Sequence, residues 1–301
     1  MIRSDINLDY SACALHFAFF NLHFALATIH YQRHQQEQPS TNAPRSCIGF
    51  QVDFSPSPGV SSAVSTLVVI PSRYSSTRLP AKPLHLLAGK PMVQWVWERA
   101  SGVPGVEVVV ATDDERIRTV VEGFGGRAVM TSPDCASGTD RVAEAARASN
   151  AEHIINLQGD EPLCAAQNIA IVADLLKRGE VMATLDFPLA PEAAADPNTV
   201  KVVKDALGYA LYFSRSPIPH PRNAPAAVYR KHLGIYGYHR DTLFKFVALK
   251  PTMLERAESL EQLRALENGI DIFVAEAAAD AHSVDTAEDA ARVEELLKGA
   301  R

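Results

Sequence analysis

Apolar and polar positions divide this chain of 301 residues into two unlike stretches. From about residue 66 onward, short apolar runs alternate with longer amphipathic ones. Leu67-Val68-Val69-Ile70 is a continuous apolar run, the mark of a strand buried on both faces. Pro71 is predicted to end it, because proline has no N–H to give to a ladder. A polar loop follows, and Gly89-Lys90-Pro91 introduces a helix with Pro91 in its first turn. Residues 106–112 read as a second strand. Asp113-Asp114 then opens a helix, which Gly125-Gly126 closes. Residues 127–131 read as a third strand. Ser137-Gly138-Thr139-Asp140-Arg141 leads into an Ala-rich helix, and residues 152–158 form a fourth strand before Gly159-Asp160-Glu161-Pro162. A further helix ends near Gly179. Strands alternating with helices predict a mainly parallel sheet with right-handed crossovers.

The pattern changes after residue 181. Residues 182–189, 200–204 and 209–214 are strand-like, and residues 205–208 join the last two as a hairpin. Residues 229–239 form a longer strand carrying Gly234 and Gly237, and glycine inside a strand marks the close approach of ligand or backbone. Two helical stretches follow, ending at Glu267-Asn268-Gly269. Residues 272–275 and 282–284 read as short strands. Asp285 precedes a last helix, with Thr286 and Asp289 as its N-terminal cap pair. No internal repeat is visible.

Residues 1–65 do not share this regularity. Residues 10–31 contain no Asp, Glu, Lys or Arg and approach the length of a membrane span, but they include Asn21, His16, His23 and His30. Charged flanks of the secretory type are absent. Residues 35–65 are rich in Gln, Ser and Pro and read as a linker. We expect a poorly structured, dispensable extension over residues 1–65, either from a start placed too early or as an anchor. The regular domain is expected over residues 66–301.

Composition narrows the class. The chain is 47% hydrophobic and 21% charged, ordinary for a globular protein. Its formal net charge of −6 offers no overall basic field for nucleic acid. Cys13, Cys47, Cys135 and Cys164 show no C-x-x-C spacing, which argues against a zinc site or disulfide framework and suits a reducing cytosol. Positive charge is instead local. Arg73, Arg78 and Lys82 lie along the loop after the first strand, where open α/β sheets bind ligands, and together they suit a triphosphate. This is neither a P-loop nor a dinucleotide fingerprint. A single Arg or Lys here would read as a solvated charge. Asp160 and Asp285 follow apolar runs and, taken alone, read as turn formers or helix caps. Ser137 and Thr139 serve equally well as a helix cap.

The segment Ile70-Pro71-Ser72-Arg73-Tyr74-Ser75-Ser76-Thr77-Arg78-Leu79-Pro80-Ala81-Lys82-Pro83 closely resembles the nucleotide-binding signature of the 3-deoxy-manno-octulosonate cytidylyltransferase family, the CMP-Kdo synthetases. That family usually has Gly where this chain has Ala81. The resemblance extends over nearly all residues after Thr66. It implies a three-layer α/β nucleotidyltransferase fold with a Rossmann-like, mainly parallel sheet. The implied reaction is activation of Kdo by CTP to CMP-Kdo and diphosphate, for lipopolysaccharide-type glycan synthesis, in a cytoplasmic homodimer. By the same resemblance Arg73, Arg78, Lys82, Asp160 and Asp285 carry catalysis. Pro71, Ser72, Ser137, Gly138 and Arg141 join Arg73 and Lys82 in holding the nucleotide. Asp160 and Asp285, in Gln158-Gly159-Asp160-Glu161-Pro162 and Val284-Asp285-Thr286, are the implied Mg2+ ligands. Gln158, Arg215, His232, Tyr236, Glu261 and Gln262 are the implied contacts to Kdo. Two rivals remain at this stage. A CMP-sialic acid synthetase shares the fold but has an R-x-G-S-K pattern absent from Arg73-Tyr74-Ser75-Ser76. A non-catalytic nucleotide-binding protein is disfavoured by retention of both Asp160 and Asp285.

Overall fold

The computed structural model describes residues 65–75, 79–223 and 228–299. The expectations for residues 1–64, and that for Arg78, fall outside these residues.

The predicted first strand is β1 (Thr66–Ser72), and it lies mid-sheet between two parallel neighbours. It runs two residues past Ile70, so Pro71 does not end it. The reason is one-sided pairing. The Val69 carbonyl accepts from the Leu157 N–H on one flank at 3.1 Å, and Pro71, two residues on, faces the same flank. That neighbour has no ladder beyond Val69, so the missing N–H costs no bond, while Pro71 and Ser72 still pair with Ala111 and Thr112 on the other flank.

A 3₁₀ turn at Lys82–Leu84 leads into a small hairpin of β2 (Leu86–Leu87) and β3 (Lys90–Pro91), turned by Ala88 and Gly89, both at positive φ. Helix α1 (Met92–Ser101) therefore starts one residue later than expected, with Pro91 as its N-cap at φ −54° and ψ 142°. Next come β4 (Val106–Thr112), α2 (Glu115–Gly123), β5 (Arg127–Met130), α3 (Gly138–Arg147), β6 (His153–Asn156) and α4 (Ala166–Lys177). The second half contains β7 (Met182–Leu189), β8 (Lys201–Lys204), β9 (Ala210–Ser214) and β10 (Tyr229–His239). Helices α5 (Arg240–Ala248), α6 (Met253–Glu258) and α7 (Leu263–Glu267) follow, three where two were expected. Then β11 (Phe273–Glu276) and α8 (Ala287–Gly299) complete the chain. Residues 282–284 do not form the expected strand. Val284 is held instead by one backbone bond, its N–H donating to the Asp160 carbonyl at 2.9 Å.

Among the described residues, nine strands form one sheet in the order β11-β7-β10-β6-β1-β4-β5, with β8 and β9 attached beside β10. The β6-β1-β4-β5 half is parallel, and β10 runs antiparallel to both β6 and β7. The alternation of β1 explains the three layers. Leu67 and Val69 face α3, α5 and α7, whereas Val68 and Ile70 face α1, α2 and α4. A smaller cluster of Leu87, Met92, Trp95, Val293 and Leu297 packs α8 against the β2-β3 hairpin and α1. Gly237 serves the packing of β10 against α4 and not a ligand. A Cβ there would lie 2.5 Å from Val172 and 3.0 Å from Leu176 of α4. No helix of the described residues is long and apolar enough to cross a membrane.

Candidate active site

The loops leaving the parallel strands β1, β5 and β6, together with the segment ahead of α8, build a cleft of about 330 Å³. Its lining includes Pro71, Ser72, Arg73, Lys82, Ser137, Gly138, Arg141, Gln158, Asp160 and Asp285. The fold thus brings together every described residue named from sequence for the nucleotide and for catalysis. Gly159 makes the convergence possible. A Cβ on it would sit 2.9 Å from the Pro71 carbonyl and 3.0 Å from Ser72 Oγ, so only glycine lets the two loops touch. Ser72 itself is buried, and its hydroxyl has no protein partner among the described residues. Such an unmatched hydroxyl in a cleft wall is suited to an incoming polar group.

Lys82 reaches between the two acids. Its Nζ donates to Asp160 Oδ2 at 2.6 Å and to Asp285 Oδ1 at 2.9 Å. The Val284-to-Asp160 backbone bond pins the two acidic loops to each other. A lysine ammonium has three donors, so one remains for a phosphate oxygen. Neighbouring Ala81 adopts the left-handed region, at φ 53° and ψ 33°. This is a conformation glycine enters freely and alanine enters at a cost. Glycine, which the resemblance implies at this position, would meet that conformation without the cost.

The opposite wall is the start of α3. Ser137 accepts from the Asp140 N–H at 3.1 Å, and the Asp140 carboxylate accepts from the Ser137 N–H at 3.0 Å, a reciprocal capping box. Arg141 is buried against the cleft. It donates to Thr131 Oγ1 at 2.5 Å and to Asp113 Oδ2 at 2.8 Å. Asp113, read from sequence as a helix opener, is therefore a brace for Arg141, and Asp114 alone caps α2. Glu144 accepts from the Ser132 N–H at 2.9 Å and from the Cys135 thiol at 3.1 Å, which fastens the loop between β5 and α3. Burial, then the neighbouring Glu144 carboxylate, pushes the Cys135 thiol up to about 11, so it lines the cleft uncharged.

Of the residues assigned to the sugar acid, Gln158 lines this cleft, and Arg215, His232, Tyr236, Glu261 and Gln262 lie outside its lining. His232 and Tyr236 stand on β10 with ring centroids 5.3 Å apart. The Thr184 hydroxyl lies 3.0 Å from His232 Nε2 and donates to the Ile235 carbonyl at 2.7 Å. With its one proton so directed, Thr184 accepts from Nε2–H, which leaves Nδ1 as the free acceptor. Burial pushes His232 down to about 3, so the ring is neutral at physiological pH. Glu261 accepts from the Thr139 hydroxyl at 2.6 Å, and Gln262 beside it is buried. Arg215 behaves differently from the other five. Its guanidinium donates to the backbone carbonyls of Pro197, Glu258 and Ser259, at 2.9, 2.8 and 3.4 Å, and so braces the end of β9.

Sequence reasoning passed over Glu161, which is buried beneath the β10 bulge with Oε2 unpartnered among the described residues. Burial, then the Asp160 charge, pushes its carboxyl up to about 8, so it is protonated at neutral pH. A Cβ at Gly234 would lie 3.3 Å from its Oε1, which is the close approach that glycine signalled.

Comparison with known proteins gives a consistent result. Residues 67–272 match the cytidylyltransferase family model. The 3-deoxy-manno-octulosonate cytidylyltransferase of Myxococcus xanthus is 49% identical over 237 residues, covering 77% of this chain and 96% of the relative. The enzyme of the same name from Escherichia coli is 50% identical over 223 residues, covering 73% of this chain and 91% of that one. Among solved structures, CMP:2-keto-3-deoxy-manno-octonic acid synthetase complexed with CTP superposes with a TM-score of 0.77 at 47% identity, covering 79% of this chain and all of that one.

Proposed function

The chain belongs to the 3-deoxy-manno-octulosonate cytidylyltransferase family, and we propose that its cleft is where CTP and Kdo are joined to give CMP-Kdo and diphosphate. One observation carries the reading. A single cleft gathers the Pro71-Ser72-Arg73 strand end, Lys82, the capped Ser137-Gly138 turn, Arg141 and two converging carboxylates, on a chain about half identical to enzymes of that name. In the reaction, the anomeric hydroxyl oxygen of Kdo forms a bond to the α-phosphorus. The bond from that phosphorus to the bridging oxygen breaks, diphosphate leaves, and the hydroxyl proton is released. Arg73 and Lys82 neutralise phosphate charge. The cleft wall at Ser137, Gly138 and Arg141 takes the base and ribose.

Mg2+ fits the acidic pair. Asp160 and Asp285 each place an oxygen within 2.9 Å of the same Lys82 nitrogen, and magnesium takes one or two carboxylates together with phosphate oxygens and water. Among the described residues no larger group of His, Cys, Asp or Glu gathers, so phosphate and water complete such a set. When bound, the ion offsets charge on the triphosphate. His232, Tyr236, Glu261, Gln262 and Gln158 offer the sugar acid its polar partners. Arg215 would meet the sugar carboxylate only after releasing backbone carbonyls. A cytoplasmic homodimer serving lipopolysaccharide-type glycan synthesis completes the proposal. Diphosphate release, measured with CTP plus Kdo or CTP plus sialic acid, tests it. Release with Kdo alone is expected; release only with sialic acid, or with neither, overturns it.

A further inference from the structure

The nucleotide cleft and the sugar residues are joined by a directed chain of hydrogen bonds. Thr139 lies one residue inside α3, directly after the Ser137-Gly138 turn, and is 4% exposed. Its Oγ1 donates to Glu261 Oε2 at 2.6 Å. A carboxylate oxygen can only accept, so this bond uses the single Thr139 proton. One lone pair of Thr139 then receives Asn156 Nδ2, at 3.4 Å. Asn156 is 1% exposed and sits at the end of β6. With its amide nitrogen spent on Thr139, Asn156 presents Oδ1 to Gln158, which donates from Nε2 at 3.2 Å. Gln158 is thereby oriented with its carbonyl oxygen and one N–H left for the cleft it lines. Every donor and acceptor along the chain is consistent in one direction only.

We propose that Thr139 and Asn156 are positioning residues that hold Glu261 and Gln158 in their substrate-binding orientations. They tie the sugar side of the site to the helix that forms the nucleotide wall. Asp113 and Glu144 brace the same wall without reaching the sugar side. The proposal rests on the reading of Glu261 and Gln158 as sugar contacts. Its physical content is the alternative open to Glu261. Arg264 lies 3.6 Å from the other carboxylate oxygen. Without the Thr139 hydroxyl, Glu261 turns toward that charge and away from the site.

The test is steady-state kinetics on the full chain, with Kdo and CTP varied separately and each variant's melting temperature recorded. Thr139→Val keeps shape and removes the donor. It is expected to raise the KM for Kdo about 10-fold, the scale of one charge-assisted hydrogen bond, and to change the KM for CTP less than about 3-fold. Thr139→Ser restores the hydroxyl and is expected to restore the KM for Kdo. Should the valine variant not fold, Thr139→Ala, which is smaller than the native residue, enters the same assay. An unchanged KM for Kdo, equal rises for both substrates, or a serine variant as impaired as valine overturns the positioning role. Glu261→Gln separates the two layers of the argument. If it leaves the KM for Kdo unchanged, the sugar-site reading is wrong. If it raises that KM while Thr139→Val does not, only the positioning role is wrong.

Discussion

The nucleotide half and the sugar half of the site are built by opposite strategies. Most phosphate and base residues lie at or beyond the carboxyl ends of three parallel strands, β1, β5 and β6, on loops whose members are near neighbours in sequence. Of the sugar residues, His232 and Tyr236 come from the face of one long antiparallel strand and Glu261 and Gln262 from the turn before α7, and His232 and Glu261 are held by Thr184 and Thr139, far away in sequence. The first half is held by backbone geometry, as at Gly159 and the Ser137-Asp140 box. The second is held by side-chain hydrogen bonds that fix proton direction. Damage to the first half should therefore act on CTP and on the chemical step. Damage to the second should act on sugar affinity and on pH dependence.

The largest break in this contrast is expected at the acids. Asp160→Asn and Asp285→Asn each replace an anionic oxygen with a neutral one beside Lys82. We expect turnover to fall by about 100-fold or more, with folding intact, the scale of losing one charge-stabilising group. Turnover near that of the parent at limiting magnesium would remove the residue from the metal role. Next is Gly159→Ala, whose methyl group meets the Pro71 carbonyl at 2.9 Å. Backbone must shift, at a cost of about 1–3 kcal/mol, and use of CTP should suffer more than use of Kdo. Separate Michaelis constants for the two substrates check this.

The sugar half gives the pH test. His232 is held down to about 3 by burial, against an ordinary value of 6.5. Below 6.5 the unfolded chain binds a proton that the folded chain refuses. The stability from a neutral His232 is therefore complete above 6.5 and is lost as pH falls toward 3. His153 adds to the same trend, lowered first by burial and then by His239, whose ring lies 4.8 Å away. Denaturation midpoints at about pH 7.5 and about pH 5 should differ less in His232→Gln than in the parent chain. An equal drop in both would show that His232 does not refuse the proton. The smallest effect is expected at Ala81→Gly. The left-handed conformation costs an L-residue roughly 1–2 kcal/mol, and glycine's greater unfolded freedom offsets about 0.5–1 of it. A gain of about 0.5–1 kcal/mol is expected, seen as a melting temperature about 1–4 °C higher.

Much of the nucleotide half was legible because its chemistry sits in short contiguous runs. Strand β4 and the long β10 fall on their predicted bounds, and the Thr286-Asp289 cap forms as expected. Local pattern failed where a neighbour on only one side decided the outcome. Pro71 stays in its strand because β6 has already stopped pairing there. Residues 282–284 lack a ladder although their apolar content suits one.

What the amino-acid order determines by itself is periodicity, caps and the positive loop. These are interactions among residues a few positions apart, and they announce the layered α/β fold and the phosphate end of the cleft. What tertiary structure alone decides is which distant side chains share a proton or a charge. Lys82 lies 78 positions from Asp160 and 203 from Asp285, Thr139 lies 122 from Glu261, and Arg141 turns to an Asp113 that sequence assigned to a helix start. Hydrogen bonds and ion pairs act over about 3 Å and depend on direction. Their partners are set by crossover connections and sheet order, which no local pattern encodes.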